Sequence, residues 1–275
     1  MKLQFTKMNG AGNDFILVDN RSGGVHLAPE DVMRLCDRRR GVGADGVLVW
    51  VPCRSGRADW AWEFYNSDGS TAAMCGNGAR CFARFVQRKG GAGDRVTFET
   101  GAGVITATFD GGRVTVGLTP PCEWRLRETV GVKGGECVVH SVNTGVPHAV
   151  VFVPDVGAVP VSARGAELRW HPHFGSRGTN VNFVQVLGEG RIRVRTYERG
   201  VEGETLACGT GVTASALVCA RLHGFGSPVR VVVEGGDELE VAFQEAGGEW
   251  TRVSLCGPAE FVFEGEIPIG GGLGG

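Results

Sequence analysis

Cys75-Gly76-Asn77-Gly78 recurs, 133 residues further on, as Cys208-Gly209-Thr210-Gly211. Each phrase stands at the start of a helical pattern. After Cys75, the residues Ala79, Phe82, Phe85 and Val86 fall at helical spacing, and the pattern stops at Gly90-Gly91. Arg80, Arg84 and Arg88 occupy the other positions and read as the solvated face of that helix. After Cys208, Val212–Leu222 is apolar nearly all round until Gly224, as in a buried helix wrapped by strands.

The repetition extends beyond the cysteines. Tyr65 in Glu63-Phe64-Tyr65-Asn66 is matched by Tyr197 in Arg195-Thr196-Tyr197-Glu198. Gly43-Ala44-Asp45-Gly46 is matched by Gly178-Thr179-Asn180-Val181, and Gly12 by Gly145. Landmarks in one order at nearly one offset imply two similar domains with a cleft between them. Two copies are too few for a solenoid. Short valine-rich runs between turn residues predict strands at Phe15–Asp19, Val47–Val51, Trp60–Asn66, Val96–Glu99, Val104–Thr108 and Val114–Leu118. The second half offers Val138–Asn143, Ala149–Val153, Asn182–Val186, Ile192–Tyr197, Val229–Val233, Leu239–Phe243, Arg252–Leu255 and Phe261–Glu264. A further helix is expected over Asp31–Arg40, with Val32, Leu35 and Cys36 on one face. The class is therefore α/β, strand-rich with few helices. Thr119-Pro120-Pro121-Cys122 reads as the linker, dividing residues 1–119, which carry Cys75, from 120–263, which carry Cys208.

The 275 residues, 42% of them hydrophobic, suffice for one large or two ordinary cores. A net charge of −2 gives no footprint for nucleic acid or an anionic membrane surface. No apolar run is long enough to span a bilayer, and Met1–Phe15 lacks the apolar core of a signal peptide. Nine cysteines, an odd number, then read as mostly free thiols in a reducing, cytoplasmic setting. The glycine run Gly270–Gly275 reads as a loose tail.

A thiol at a helix start lies in the field of the helix dipole and beside amides that stabilise an anion, so its thiolate is favoured. The amides of Gly76-Asn77 and Gly209-Thr210 can likewise hold a carboxylate. Two such groups suit inversion of a stereocentre: one thiolate removes a proton from one face and the opposite thiol supplies one to the other. The scheme needs no cofactor. A pyridoxal enzyme needs a Schiff-base lysine, and none of Lys2, Lys7, Lys89 and Lys133 lies in either phrase. His148, just before a strand, is a candidate imidazolium partner for a thiolate. Glu198 is a candidate to orient His148 or a substrate amino group, and Arg199 to clamp a second carboxylate. The other cysteines read as small buried hydrophobes. His171-Pro172-His173 and Cys75/Cys81 lack zinc spacing, so no metal is expected. Gly41-x-Gly43-x-x-Gly46 matches a dinucleotide fingerprint in letters, but a helix precedes it and a strand follows, the reverse of the required order.

Several motifs together resemble the diaminopimelate epimerase family closely. They are Met8-Asn9-Gly10-Ala11-Gly12-Asn13-Asp14-Phe15, Asn66-Ser67-Asp68-Gly69-Ser70, Cys75 to Cys81, Thr179 to Phe183, Glu198-Arg199-Gly200 and Ala207 to Gly211. The resemblance covers almost the whole chain. It implies a homodimeric, pyridoxal-independent epimerase of lysine and cell-wall biosynthesis that interconverts LL- and meso-diaminopimelate. It also implies two pseudo-symmetric domains, each a curved, mostly antiparallel sheet around a central helix, with the segment 264–275 returning to the first domain. By position, Cys75 and Cys208 match the catalytic pair and His148 a thiol-modulating histidine. Asn13, Asn66, Gly76, Asn77, Asn180, Glu198, Arg199, Gly209 and Thr210 match substrate-binding positions. The three asparagines Asn13, Asn66 and Asn180 also suit turns or caps. Val146 stands where many members carry asparagine. Proline and hydroxyproline racemases share the fold but typically show Cys-Gly-His-Gly at the first site, where Asn77 stands here. A binding protein that had lost catalysis would have no need of both thiols.

Overall fold

The computed structural model describes residues 2–270; the expected glycine tail lies, from residue 271 on, outside them. In chain order the first half contains β1 Lys2–Asn9, β2 Asp14–Asp19, α1 Pro29–Cys36, β3 Gly46–Pro52, β4 Trp60–Asn66, α2 Gly76–Gly90, β5 Arg95–Thr100, β6 Gly103–Asp110 and β7 Arg113–Gly117. The second contains β8 Cys122–Val132, β9 Gly135–Asn143, β10 Pro147–Phe152, α3 Val161–Arg169, β11 Asn180–Gly188, β12 Arg191–Glu198, β13 Gly203–Thr205, α4 Gly209–His223, β14 Val229–Val233, β15 Glu238–Ala246 and β16 Glu249–Pro258. The last strand is β17, Glu260–Pro268.

The chain forms two compact units, residues 2–116 with 258–270 and residues 117–257. The observed seams lie at 116/117 and 257/258, against the expected 119/120 and 263/264. β17 pairs along its whole length with β1, from Lys2↔Pro268 to Asn9↔Glu260, and so belongs to the first unit from its first residue.

In the first unit β1 pairs antiparallel with β2, β2 parallel with β3, β3 antiparallel with β4 and β4 parallel with β5. β5, β6 and β7 then follow antiparallel. Phe15–Val18 and Val47–Trp50 are buried without interruption, because the central strands are covered on both faces. One face meets α1, whose Val32, Leu35 and Cys36 join Ile16, Val18, Val47 and Val49. The other meets α2: Trp62 and Phe98 flank Phe82, and Trp50 meets Phe85.

The second unit repeats that sequence of pairings. β9 is antiparallel to β10, β10 parallel to β11, β11 antiparallel to β12 and β12 parallel to β14; β14, β15 and β16 follow antiparallel. β8 flanks β9 as β17 flanks β1. α4 is buried along most of its length, from Gly211 to Ala220, and β9, β10, β11, β12, β14 and β15 all touch it. A sheet that meets one helix with so many strands must curl round it. Both cysteine helices end on a glycine in the left-handed region, Gly91 and Gly224.

Several readings need correction. Asp31–Arg40 is helical only to Cys36, because the Asp37 carboxylate accepts the amides of Arg39 and Arg40 and turns the chain. The linker ends where β8 begins, at Cys122. The arginines of α2 are not one solvated face. Arg80 is fully buried, and Arg84 donates to the Gly111 and Arg113 carbonyls; only Arg88 is exposed, 4.1 Å over the Phe261 ring. Cys36, Cys81, Cys137 and Cys219 are buried as expected, whereas Cys122 is exposed and Cys53 and Cys256 are half-buried.

Candidate active site

Cys75 and Cys208 are the N-caps of α2 and α4. Each has an extended backbone, with φ −146° and −115°, so each thiol sits where the first-turn amides lack carbonyl partners within the helix. The Cys75 Sγ accepts from the Gly78 amide at 3.4 Å and donates to Asn13 Oδ1 at 3.7 Å. The Cys208 Sγ lies 3.6 Å from the Thr210 hydroxyl, and Cys208 as a residue is 7% exposed. No disulfide links any of the nine cysteines among the described residues. Burial pushes the Cys36, Cys81 and Cys219 thiols up to about 12, which leaves them inert.

Around Cys75, Asn13 and Asn77 of the expected residues converge. Asn13 sits on the tight loop between β1 and β2. Asn9 Oδ1 accepts from the Gly12 amide there, and Ala11 takes φ 63°. Asn13 Oδ1 also receives Asn77 Nδ2 at 3.3 Å, and its Nδ2 donates to Asp45 Oδ2 at 2.5 Å. Asp45 is itself fixed by Arg38, which makes a two-pronged bond to Asp14, and Lys7 closes the network on Asp14 at 2.9 Å. Burial would raise the Asp14 carboxyl, but the bonds from Arg38 and Lys7 outweigh it and hold the group at about 2. Arg80 donates to Asn77 Oδ1 at 2.9 Å and to the carbonyls of Gly76, Gly10 and Pro258. Asn66 serves its own turn, donating to the Ser70 hydroxyl at 3.0 Å. Asp45 and Arg80 were not among the expected site residues, although both lie inside quoted motifs.

In the second unit, Asn180 ties two segments together. Its Nδ2 donates to the Pro147 carbonyl beside His148, and its Oδ1 accepts the Arg199 amide. Glu198 accepts from the Thr205 hydroxyl, and Thr144 donates to the Thr210 carbonyl. Burial and the like charges of Arg169 and Arg177 push the Arg199 guanidinium down, while Glu202 pulls it up. That concentration of positive charge suits a carboxylate ligand. Val146 contributes its carbonyl to the Thr144 amide, a contact independent of its side chain.

His148 departs from expectation. It is 1% exposed, and burial followed by the charge of Arg199 pushes its imidazole down to about 3. It is therefore neutral at physiological pH, not the expected imidazolium. Asn182 donates to its Nδ1 at 3.1 Å, a contact absent from the expected set. The His171 and His173 rings turn instead to the Gly131 carbonyl and Glu128. A helix does precede Gly41–Gly46 and a strand does follow it.

The family model described as diaminopimelate epimerase matches residues 5–122 and 140–262. The chain belongs to the diaminopimelate epimerase family. The family member from Aquifex aeolicus (strain VF5) is 45% identical over 277 residues, covering 96% of this chain and 98% of its own. That from Hydrogenobaculum sp. (strain Y04AAS1) is 42% identical, covering 95% and 97%. Among solved structures, a hydroxyproline epimerase from Agrobacterium vitis superposes with a TM-score of 0.74 at 19% identity, covering 97% of this chain and 92% of that one. A Bacillus anthracis phenazine biosynthesis protein of the PhzF family gives 0.74 at 15%, covering 98% and 100%. These structural likenesses establish the shared fold. Membership in an epimerase family places this chain among the isomerases.

Proposed function

We propose that this chain interconverts LL- and meso-diaminopimelate by proton exchange at one α-carbon, with Cys75 and Cys208 as the two bases. The observation that carries the mechanism is the duplicated N-cap cysteine, one on the equivalent helix of each of two units with the same strand pairing. Family membership supplies the substrate. One cysteine, as thiolate, takes the α-proton; the other, as thiol, delivers its proton to the opposite face, and the roles reverse in the reverse reaction. First-turn amides at Gly76-Asn77 and Gly209-Thr210 receive the α-carboxylate and stabilise the charge it gains as the proton leaves. Asn13 orients the Cys75 thiol. Glu198 and Arg199 read the distal amino and carboxylate groups, and Asn66 and Asn180 shape the turns that present them. The family resemblance also supports a cytoplasmic homodimer, which light scattering tests.

The deciding experiment is α-hydrogen exchange. Reduced protein with LL-diaminopimelate in D₂O is expected to yield the meso isomer carrying deuterium at one α-carbon. Cys75→Ser and Cys208→Ser are each expected to lower turnover by about a thousandfold, within the range for loss of an acid–base group. Near-normal turnover in either variant overturns the two-thiol mechanism. Exchange with proline but not with diaminopimelate overturns the substrate.

A further inference from the structure

The strands beneath the two cysteine helices carry different triads at equivalent places. In the first unit Phe15 opens the β2–β3 pairing, opposite Gly46. Leu48 pairs with Leu17 on one side and Phe64 on the other. In the second unit His148 opens the β10–β11 pairing, opposite Asn180. Asn182 pairs with Val150 and Thr196. Phe15, Leu48 and Phe64 are thus replaced by His148, Asn182 and Thr196. Both triads lie under the third glycine-phrase residue after the cysteine. A Cβ on Gly78 would stand 3.5 Å from Phe15 and Leu48, and one on Gly211 would stand 2.2 Å from Asn182 Oδ1. The first unit shows that an apolar triad satisfies this fold. The buried polar triad of the second therefore answers to something other than folding.

Its hydrogen bonds define a protonation state. Asn182 Nδ2 lies 3.0 Å from the Ala149 carbonyl, which can only accept, so the amide orientation is fixed. The Thr196 hydroxyl donates to Asn182 Oδ1 at 3.0 Å, in agreement. The second hydrogen of Nδ2 then points to His148 Nδ1 at 3.1 Å, which must accept. A neutral imidazole that accepts at Nδ1 carries its proton on Nε2. That Nε2 is buried and has no hydrogen-bond partner among the described residues. A buried, oriented and unused N–H is costly unless a ligand or a moving group takes it up.

We propose that Asn182, backed by Thr196, is a positioning residue that holds His148 as the neutral Nε2–H tautomer, so that His148 serves the Cys208 half-site as a fixed hydrogen-bond donor and not as a proton carrier. The acceptor is an anionic oxygen or sulfur of the reacting complex, either the substrate carboxylate or a thiolate. This assignment of the donor's use rests on the epimerase reading; the tautomer itself does not.

The test is ¹H–¹⁵N correlation of the full chain labelled with ¹⁵N-histidine. His148 is expected to show a bare, pyridine-type Nδ1 and a protonated, pyrrole-type Nε2 at neutral pH. Asn182→Leu installs the residue of the equivalent place and is expected to mix the tautomers and lower kcat/KM for LL-diaminopimelate by roughly tenfold, one misdirected hydrogen bond. Thr196→Val removes only the outer bond and is expected to shift the same signals less, which provides a second reading if Asn182→Leu does not fold. A wild-type Nδ1–H tautomer or imidazolium overturns the proposal, as does an Asn182→Leu protein with the wild-type spectrum and turnover. Wild-type protein that shows the Nε2–H spectrum yet exchanges no α-hydrogen of diaminopimelate overturns the epimerase reading and leaves the tautomer assignment standing.

Discussion

Replacing Arg80 by methionine isolates the interaction that the sequence hides best. The guanidinium is 0% exposed and reaches four acceptors: Asn77 Oδ1 at 2.9 Å and the carbonyls of Pro258, Gly76 and Gly10 at 3.2, 3.3 and 3.4 Å. Methionine fills most of the volume and removes every donor. A bond from a charged donor is worth about 1.5–3 kcal/mol, and a stranded buried acceptor costs about 1–3 kcal/mol. The Asn77 bond is short enough to count in full, and the three longer ones together count about as much again. The expected loss is about 3–6 kcal/mol, a large share of the 5–15 kcal/mol that holds an ordinary domain together. Urea unfolding read with an unchanged slope is the assay. Arg80→Lys keeps the charge but not the planar fork, and is expected to recover less than half of the loss. Because Asn77 loosens, turnover should fall in the folded fraction of either variant. A methionine variant within about 1 kcal/mol of wild type would refute the reasoning, since it would mean that the four acceptors find other donors at no cost.

The two glycine phrases should respond oppositely to the same change. Gly211→Ala places a Cβ 2.2 Å from Asn182 Oδ1 inside a buried network and is expected to cost about 1–3 kcal/mol, whereas Gly78→Ala meets only ordinary contacts at 3.5 Å and should be neutral or stabilising by up to ~1 kcal/mol; thermal melts of both variants decide. His148 should make the protein acid-sensitive well above the carboxylate range. Its folded imidazole titrates near 3 rather than at the ordinary 6.5, so the unfolded chain binds the proton first as pH falls. Stability contributed above 6.5 is then lost progressively below it, by about 2 kcal/mol between pH 7 and 5. In His148→Phe, urea stability should fall by that much less over the same interval; an equal fall in the two proteins shows that the native imidazole titrates just as it does in the unfolded chain.

Much of the architecture was legible because it is written twice. Offsets near 133 recur at Tyr65/Tyr197, Cys75/Cys208 and Gly12/Gly145, and the strand pairings repeat in the same order. The valine-rich strands could be read because central strands buried on both faces carry unbroken apolar runs. β1 and β8 carry no clear strand signal in the sequence, because Lys2, Gln4, Glu123 and Arg125 at their exposed positions dilute the apolar pattern. α3 has no clear apolar face: Gly165, a poor helix former, is the residue that lets it approach Tyr197. Within the site, Cys75, Asn13 and Asn77 could be named from motifs and do hydrogen-bond to one another. Arg80 could not be placed, because helical spacing alone assigns an arginine to solvent. The protonation of His148 was misjudged for a related reason. The common pairing of imidazolium with thiolate suggests charge, whereas full burial beside Arg199 forbids it.

On the proposed function, the repeat lets a nearly symmetric chain treat the reacting and the distal end of diaminopimelate differently. β4 ends in Asn66 and β12 ends in Glu198, with Arg199 following. At these matched strand ends the second copy alone carries charge, and on the proposed function that charge meets a distal ammonium and carboxylate. Beneath the cysteines the same division holds: Phe15, Leu48 and Phe64 against His148, Asn182 and Thr196. Each unit carries a thiol at a helix start, which in the proposed mechanism is the part of the chemistry that must be the same on both faces of the α-carbon. What had to differ was placed on the surrounding strands, where one unit could keep an apolar triad and the other exchange it for a hydrogen-bonded one without altering the pairing of a single strand. On the proposed function, the charged recognising groups thus stand in the second unit, while each unit keeps its own thiol at a helix start.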